Sequence, residues 1–487
     1  MNKHFSPLYI LAVFSALFVI PQSQAQHELI SNDIMYHAIY LPQSNDYNPA
    51  FYMQDRTFYL TLPQFNISTG LPVSFNDLNF QTDPVTQHSI LNLSDLAKKI
   101  GSGDNQIRSN VNLNLLGFGI NFGNVFVNFS SKVAVQARLS IPTDAIAVLT
   151  NMNKHSWIGE QNAANLVTGD LALVNAYARF SIGGGYKFDK IPLTIGAHVN
   201  ILDGVANINT YETNIRAYAV DDIYSAVVAD VDYHVQRSGC VGIDTNNNLY
   251  YDGTPKNFGF TFDLGAKYDF NNFHFSASLI DFGPGIHWSQ DVVKMSPHES
   301  HIFFEGFDVS NLISGGRMDG DFFNNYLDSI ATMLKTQETK GGDFWYAVPT
   351  KLNLGASYDF ANKFFRAGFL FHGEWEKGLF AAPANNNFRF NTTLSLSCNL
   401  FNWLELMVAN SFVFDGANTD MLNPGAGVVL SLGQVFQIYA MLDYLSDFYL
   451  VKAKSFNFSL GLNIVAGKRE TKSVPSIPDN EGSDSVL

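Results

Sequence analysis

The chain has 487 residues and a formal net charge of −15; hydrophobic residues make up 46%, aromatics 14% with 42 Phe and 21 Tyr, and charged residues only 15%. Average soluble domains carry roughly 25% charged residues, so this chain lacks the charge that normally coats a soluble surface. The acidic balance argues against a nucleic-acid partner, since phosphate contacts need clustered Lys and Arg, and acidic loops facing water account for it.

Residues 1–25 set Lys3 and His4 before the apolar run Leu8 to Ile20, then Pro21 and the ending "SQA" before Gln26. This is the layout of a cleaved secretory signal with Ala25 as the last residue removed. No Cys follows the cleavage site, so no lipid anchor is expected there. No later apolar stretch reaches about 18 residues, so no transmembrane helix is expected either. Cys240 and Cys398 are too few for a disulfide framework. Two reduced thiols are expected, with a bridge between them as the alternative.

Residues 26–55 read as a small periplasmic or plugging segment. After them the dominant signal is alternation. In "NFGFTFDLGAKYDF" (257–270), Phe258, Phe260, Phe262, Leu264, Ala266, Tyr268 and Phe270 alternate with Gly259, Thr261, Asp263, Gly265, Lys267 and Asp269. Successive side chains of a strand point to opposite faces, so period two means a strand with one apolar face. The pattern recurs in "KLNLGASYDF" (351–360), "FRFNTTLSLSCNL" (388–400), "FNFSLGLNIVA" (456–466) and the odd positions from Val125 to Ile141. Strands are expected near 56–62, 109–122, 125–141, 172–187, 191–202, 257–270, 273–282, 347–360, 364–374, 388–400, 403–414, 425–432, 436–443 and 455–466. That is about 14, an even number as a bacterial outer-membrane barrel requires.

A soluble sandwich also alternates, but its strands average about five or six residues and its outer face is charged. Here the apolar face is Phe- and Leu-rich over roughly ten residues or more, the length a tilted strand needs to cross a bilayer. The breaks agree. Short ones at Gly123-Asn124, around Asp189, at Asn271-Asn272, at Ala361 to Lys363, at Asn402 and at Gly433-Gln434 alternate with long connections at 142–171, 203–256, 283–346, 375–387, 415–424 and 444–454. Short turns face the periplasm and long loops face outside. The expected fold is therefore an all-β transmembrane antiparallel barrel over 56–466, in the outer membrane of a Gram-negative cell.

Two long segments carry helical periodicity: "SILNLSDLAKKI" (89–100), through Ile90, Leu93, Leu96, Ala97 and Ile100, and "NNYLDSIATMLKT" (324–336), through Tyr326, Ile330, Met333 and Leu334. They read as loop helices over the barrel mouth, or else as a lid or lateral gate. The tail 467–487 lacks an apolar period and reads as disordered and periplasmic.

With lipid outside, the other register points into the lumen. It carries Lys132, Arg138, Arg179, Lys187, His198, Asp263, Lys267, Asp269, Lys351, Asp359, Arg366, His372, Glu374, Arg389 and Glu405. Ionisable groups of both signs cannot sit unpaired in a dry interior, so the lumen is watered, cross-linked by ion pairs, or both. These residues are struts of the wall or the lining of a solute path.

Catalysis finds no support: there is no G-x-S-x-G elbow and no P-loop, and His198 and His372 stand isolated. No catalytic residue, cofactor or metal is expected. "DTNNNLYYDG" (244–253) sets Asp244, Asn246 and Asn248 at the first ligand positions of a calcium loop, but Leu249 replaces the turn glycine and Pro255 the bidentate Glu, so it reads as a polar turn.

The stretch "DYNPAFY" (46–52), with Asn48, Pro49 and Ala50 just before the first predicted strand, resembles the start of barrels in the long-chain fatty acid transporter family (FadL) and of the PorV-type barrels of the type IX secretion system. The resemblance implies a 14-stranded barrel, as the strand count does. "NVNLNLLGFGI" (110–120), "SLIDFGPGIHW" (278–288), "FFEGFDVSNLI" (303–313), "VPTKLNLGASY" (348–358), "FQIYAMLDYL" (436–445) and "FNFSLGLNIVAG" (456–467) are similar to the blocks of an uncharacterised Bacteroidota outer-membrane family known as a domain of unknown function. That likeness implies a fold and a compartment without an activity. Unlike the fatty acid transporters, which have an N-terminal plug, a kinked strand and apolar pockets, this chain has a mostly polar inward register and shows no identifiable kink. Gly117 and Gly119 could make one, or could relieve crowding at a corner. "DSV" (484–486) and "DSI" (328–330) resemble a Bacteroidota O-glycosylation signal.

The expected function is passage of small hydrophobic or amphipathic solutes, with outer-membrane lipid and a hydrophobic small molecule as partners. The alternative is a non-transporting barrel serving envelope or secretion-system proteins.

Overall fold

The computed structural model describes residues 32–467 apart from 54–55, 78–79, 83–88, 92–105, 141–158, 169, 220–226, 240–241, 244–248, 251–256, 298–299, 305–335, 362, 380–387, 402, 416–417, 434 and 445–452. Fourteen antiparallel strands form its wall. They are β1 in two pieces (Phe58–Thr61 and Gln64–Gly70), β2 (Gln106–Phe122), β3 (Val125–Ser140), β4 (Ala172–Lys187), β5 (Leu193–Ala219), β6 (Asn257–Phe270) and β7 (Phe273–Trp288). The second half comprises β8 (Thr350–Phe360), β9 (Phe365–Trp375), β10 (Phe388–Phe401), β11 (Leu404–Asp415), β12 (Asn418–Leu432), β13 (Phe436–Asp443) and β14 (Ser455–Ala466). Each strand pairs with the next, and β1 closes the ring: Leu60 faces Phe118 of β2 on one side and Ile464 of β14 on the other. Closure leaves no open edge, the condition for crossing hydrocarbon with strands. Among the described residues no helix is long and apolar enough to cross a membrane.

The alternation sorts the two faces as side-chain geometry demands. On β6, Phe258 is 57% and Leu264 48% exposed on the outside, while Asp263 is 0% exposed on the inside. Exposed aromatics gather beside the short turns, among them Phe122, Phe270, Phe273, Phe401, Trp403 and Phe436, forming a girdle at one membrane interface. Leu264→Arg, midway along the lipid-facing side of β6, is expected to destabilise the barrel by about 2–4 kcal/mol. Urea unfolding in lipid vesicles reads this, and an unchanged midpoint would contradict the lipid-facing assignment.

The long connections depart from the reading as loops. β5 runs 27 residues, well past 202, and the strand Val227–Gly239 pairs with its outer half, Val228 facing Tyr218. Val293–Pro297, His301–Phe304, Thr336–Lys340 and Phe344–Tyr346 add to this extension. Beyond the lipid the outer face need no longer be apolar, so the strict period lapses while the hydrogen-bond ladder continues, with Ala217, Val228 and Val231 buried. Residues 89–91, expected in a helix, form a strand paired with Phe80–Thr82; 92–100 lie outside the described residues, as do 324–335, while Thr336 begins a strand. Leu249–Tyr250 pair with Gly242–Ile243 where a polar turn is expected, and Asp244, Asn246 and Asn248 lie outside the described residues. Cys398 is free and buried, and Cys240 lies outside the described residues.

Kinks do occur. The β2–β3 register slips between Asn114 and Leu116, just before Gly117 and Gly119. Those two glycines leave room for inward side chains, since a Cβ on them would meet Thr61 and the Tyr59 ring. A larger irregularity lies in β7, where two register shifts against β6 fall between Leu264 and Phe260. Asp281 there has φ 57°, and both Ile280 and Asp281 are buried. A bulge thus breaks the period and turns two consecutive side chains inward.

Candidate functional site

Residues 32–53 run through the lumen. Their short helix α1 (Asp33–His37) and the 3-10 turn Pro42–Asp46 are largely buried. Bonds reach them from widely spaced parts of the wall. Ile34 N donates to Asp443 Oδ2 at 2.9 Å, Ser278 Oγ to Tyr47 O at 2.7 Å, Gln43 Nε2 to Asn463 Oδ1 at 2.6 Å and Asn121 Nδ2 to Met53 O at 2.6 Å. Thr393 Oγ1 and Tyr444 Oη both donate to Asp33 Oδ2, at 2.7 and 2.5 Å. Ile34, Met35 and Leu41 pack on Met407, Val429 and Met441.

The Asn48-Pro49-Ala50 motif is the tightest part of this plug. Asn48 Oδ1 accepts from Ala50 N at 2.9 Å, and its Nδ2 lies 3.4 and 3.3 Å from the carbonyls of Ala266 and Ala277. Such an Asx turn satisfies backbone groups that a buried loop would otherwise orphan. A Cβ on Gly196 would collide with the Pro49 carbonyl, and one on Gly265 with the Asn48 side chain. The wall therefore admits the plug backbone only where it has no side chain.

The inward charges fall into three levels. Near the short turns, Arg366 Nε and Nη2 grip Asp359 Oδ1 and Oδ2 at 2.5 and 2.8 Å. His274 bridges Asp269 (2.6 Å) and Asp359 (3.2 Å), and Lys267 pairs with Asp269 at 3.0 Å. At mid-height Arg179 spans Asp263 and Asp281, 2.7 Å from each. Asp263 also accepts from Asn200 Nδ2 (2.9 Å) and Asp281 N (2.7 Å), and His198 stands between it (3.1 Å) and Asn45 Oδ1 of the plug (2.9 Å). At the outer level Arg138 pairs with Glu376 and with Asp170 (3.6 Å), and Arg389 with Glu376 (3.4 Å). Buried charges persist only when paired and hydrogen-bonded in this way.

Above the plug lies a vestibule of about 570 Å³, floored by Met35, Asp46 and Tyr47 and reaching Tyr211, Trp345 and Glu376 in the extended wall. Six of the sequence-derived inward residues line it: Lys132, Arg138, Arg179, Lys351, His372 and Glu374. His198, Asp263, Lys267, Asp269, Asp359 and Arg366 lie below, in the two deeper levels. Lys187 is half-buried at the end of β4. Glu405 is buried on β11 opposite Asn399, and Arg389 faces Glu374 across β9 and β10. Asp281, His274 and Asn45 were missed. The alternation of β7 contains the signal for His274, the bulge hides Asp281 by shifting its phase, and Asn45 sits in a turn with no period to read.

Among the described residues, no group of three or more His, Cys, Asp or Glu is placed to hold a metal ion. The family of unknown function DUF5723 matches residues 49–443. The chain belongs to that family. No curated protein matches it. Among solved structures, a TodX deltaS2S3 mutant monoaromatic hydrocarbon channel is similar at 9% identity and TM-score 0.43, covering 86% of this chain and 93% of that one. The P. putida toluene transporter TodX is similar at 9% and 0.39, covering 91% and 94%, and a Pseudomonas aeruginosa FadL homologue at 10% and 0.39, covering 92% and 99%. At such identities the closed strand ladder of this DUF5723 member, rather than the likeness, defines its fold.

Proposed function

We propose that this DUF5723 member is an outer-membrane barrel that passes small amphipathic or hydrophobic solutes, with the vestibule as receiving site and residues 32–53 as the gate. The vestibule carries this reading: about 570 Å³ of space between wall and plug, within the roughly 300–1,000 Å³ typical of small-molecule sites. A barrel built only as a support has no need of such a space above its plug. The polar lining favours the amphipathic class. No catalytic step is involved, and lipid surrounds the exposed belt.

Swelling of liposomes loaded with the purified full chain tests this against a solute panel. Swelling that depends on solute identity and saturates with concentration is expected. Liposomes that stay sealed to every solute, together with stoichiometric co-purification of envelope proteins, would establish the second reading, a non-transporting barrel that serves secretion or envelope assembly. The plug's attachment to widely spaced strands is the observation that favours this alternative.

A further inference from the structure

The vestibule holds charges that the ion-pair levels leave unused. Among the described residues, Lys132 and Glu374 line it without an ion pair, and Lys351 reaches only Asp281 Oδ2, at 3.9 Å. Lys351 and Glu374 are cross-strand neighbours in register, yet they do not pair. A lone charge in a lumen is tolerated only if water or a solute serves it.

His372 adds a second unused group. It is 4% exposed, and its Nδ1 lies 2.6 Å from Asn353 Oδ1. Asn353 Nδ2 donates to Tyr47 O and Ser278 Oγ, 3.1 Å each, which leaves its Oδ1 as the acceptor facing the ring. The ring therefore donates from Nδ1, and Nε2 is a bare acceptor, with no partner of its own. It awaits an N–H or O–H donor.

A simple anion would meet Glu374 and Asp46 in this cavity, and a simple cation would meet Lys132 and Lys351. An uncharged solute would satisfy neither sign. A solute with a carboxylate at one end and an ammonium at the other satisfies both. Asn110, Asn112 and Asn114, on the same wall, offer paired donors and acceptors that match amide groups. We infer that the vestibule is a binding site for a short zwitterionic peptide, its carboxylate at Lys132 and Lys351 and its ammonium at Glu374. This deepens the transport reading by naming its solute class, and it rests on the vestibule being the receiving site.

The test is calorimetric titration of the detergent-solubilised full chain with trialanine, its N-acetyl and C-terminal amide derivatives, and maltotriose. Trialanine is expected to bind saturably, and blocking either end to weaken binding about tenfold, equivalent to about 1.4 kcal/mol. Lys132→Met is expected to erase the penalty of amidation, Glu374→Gln that of acetylation, and Lys132→Arg to retain both. Should a variant fail to fold on gel-shift, the capped ligands on the unsubstituted chain still decide the matter. Equal affinity for free and capped peptides, or tighter binding of maltotriose, overturns the inference. Swelling with trialanine separates the two claims: free-end-dependent binding without passage keeps this site and sinks transport, whereas passage indifferent to the end groups keeps transport and sinks this site.

Discussion

Removal of residues 32–53 is expected to turn a barrel that carries no steady current in a planar bilayer into an open pore. The plug occupies the middle of the lumen, and its groups bond to β2, β7, β13 and β14, so it stands across the path an ion would take. The barrel ladder needs none of these bonds: β1 closes against β2 and β14 through its own backbone. The deleted chain should thus keep its folded band on a gel while conducting. Gly196→Val, which drives a side chain into the Pro49 carbonyl, should give partial opening with brief current bursts. A deleted barrel that stays closed would show that the charge levels or outer connections seal the lumen, and would remove the plug from the role of gate.

Asp263→Ala should be the most damaging single substitution in the wall, destabilising by about 3–5 kcal/mol. It strips Arg179 of one of its two carboxylates and removes the acceptor used by Asn200 Nδ2 and Asp281 N. All of this happens where Asp263 is 0% exposed, so little water is at hand to replace it. Arg138→Ala, whose side chain is 16% exposed beside Asp170 and Glu376 at the vestibule, should cost less, because Glu376 keeps Arg389 and the vestibule offers water to the carboxylates left behind. Loss of the folded band with rising temperature measures both. If the two losses match, or if Asp263→Ala alters solute uptake without lowering stability, the mid-level network is not a strut.

Strand number, face and topology were legible because a barrel in lipid has one rule per residue, apolar out and polar in, and Phe258 to Phe270 obeys it without interruption. The extension of β5 to Ala219 was not legible, since beyond the lipid the outer face need no longer be apolar and the strict period lapses. Asp281 was hidden for a related reason: a bulge adds a residue to one strand and reverses the phase that assigns its neighbours. Residues 89–91 show the converse, the first three residues of a helical period held in a strand by pairing with 80–82.

The sequence by itself therefore determined the barrel and its closure count, because local alternation and turn length suffice for these. Only the tertiary structure decided which charges pair, for Arg179 finds Asp263 and Asp281 while Lys132, among the described residues, makes no ion pair. It also placed Asn48-Pro49-Ala50 inside the ring rather than beneath it. That placement depends on gaps at Gly196 and Gly265, which lie far from the motif in sequence and meet it only when the wall closes.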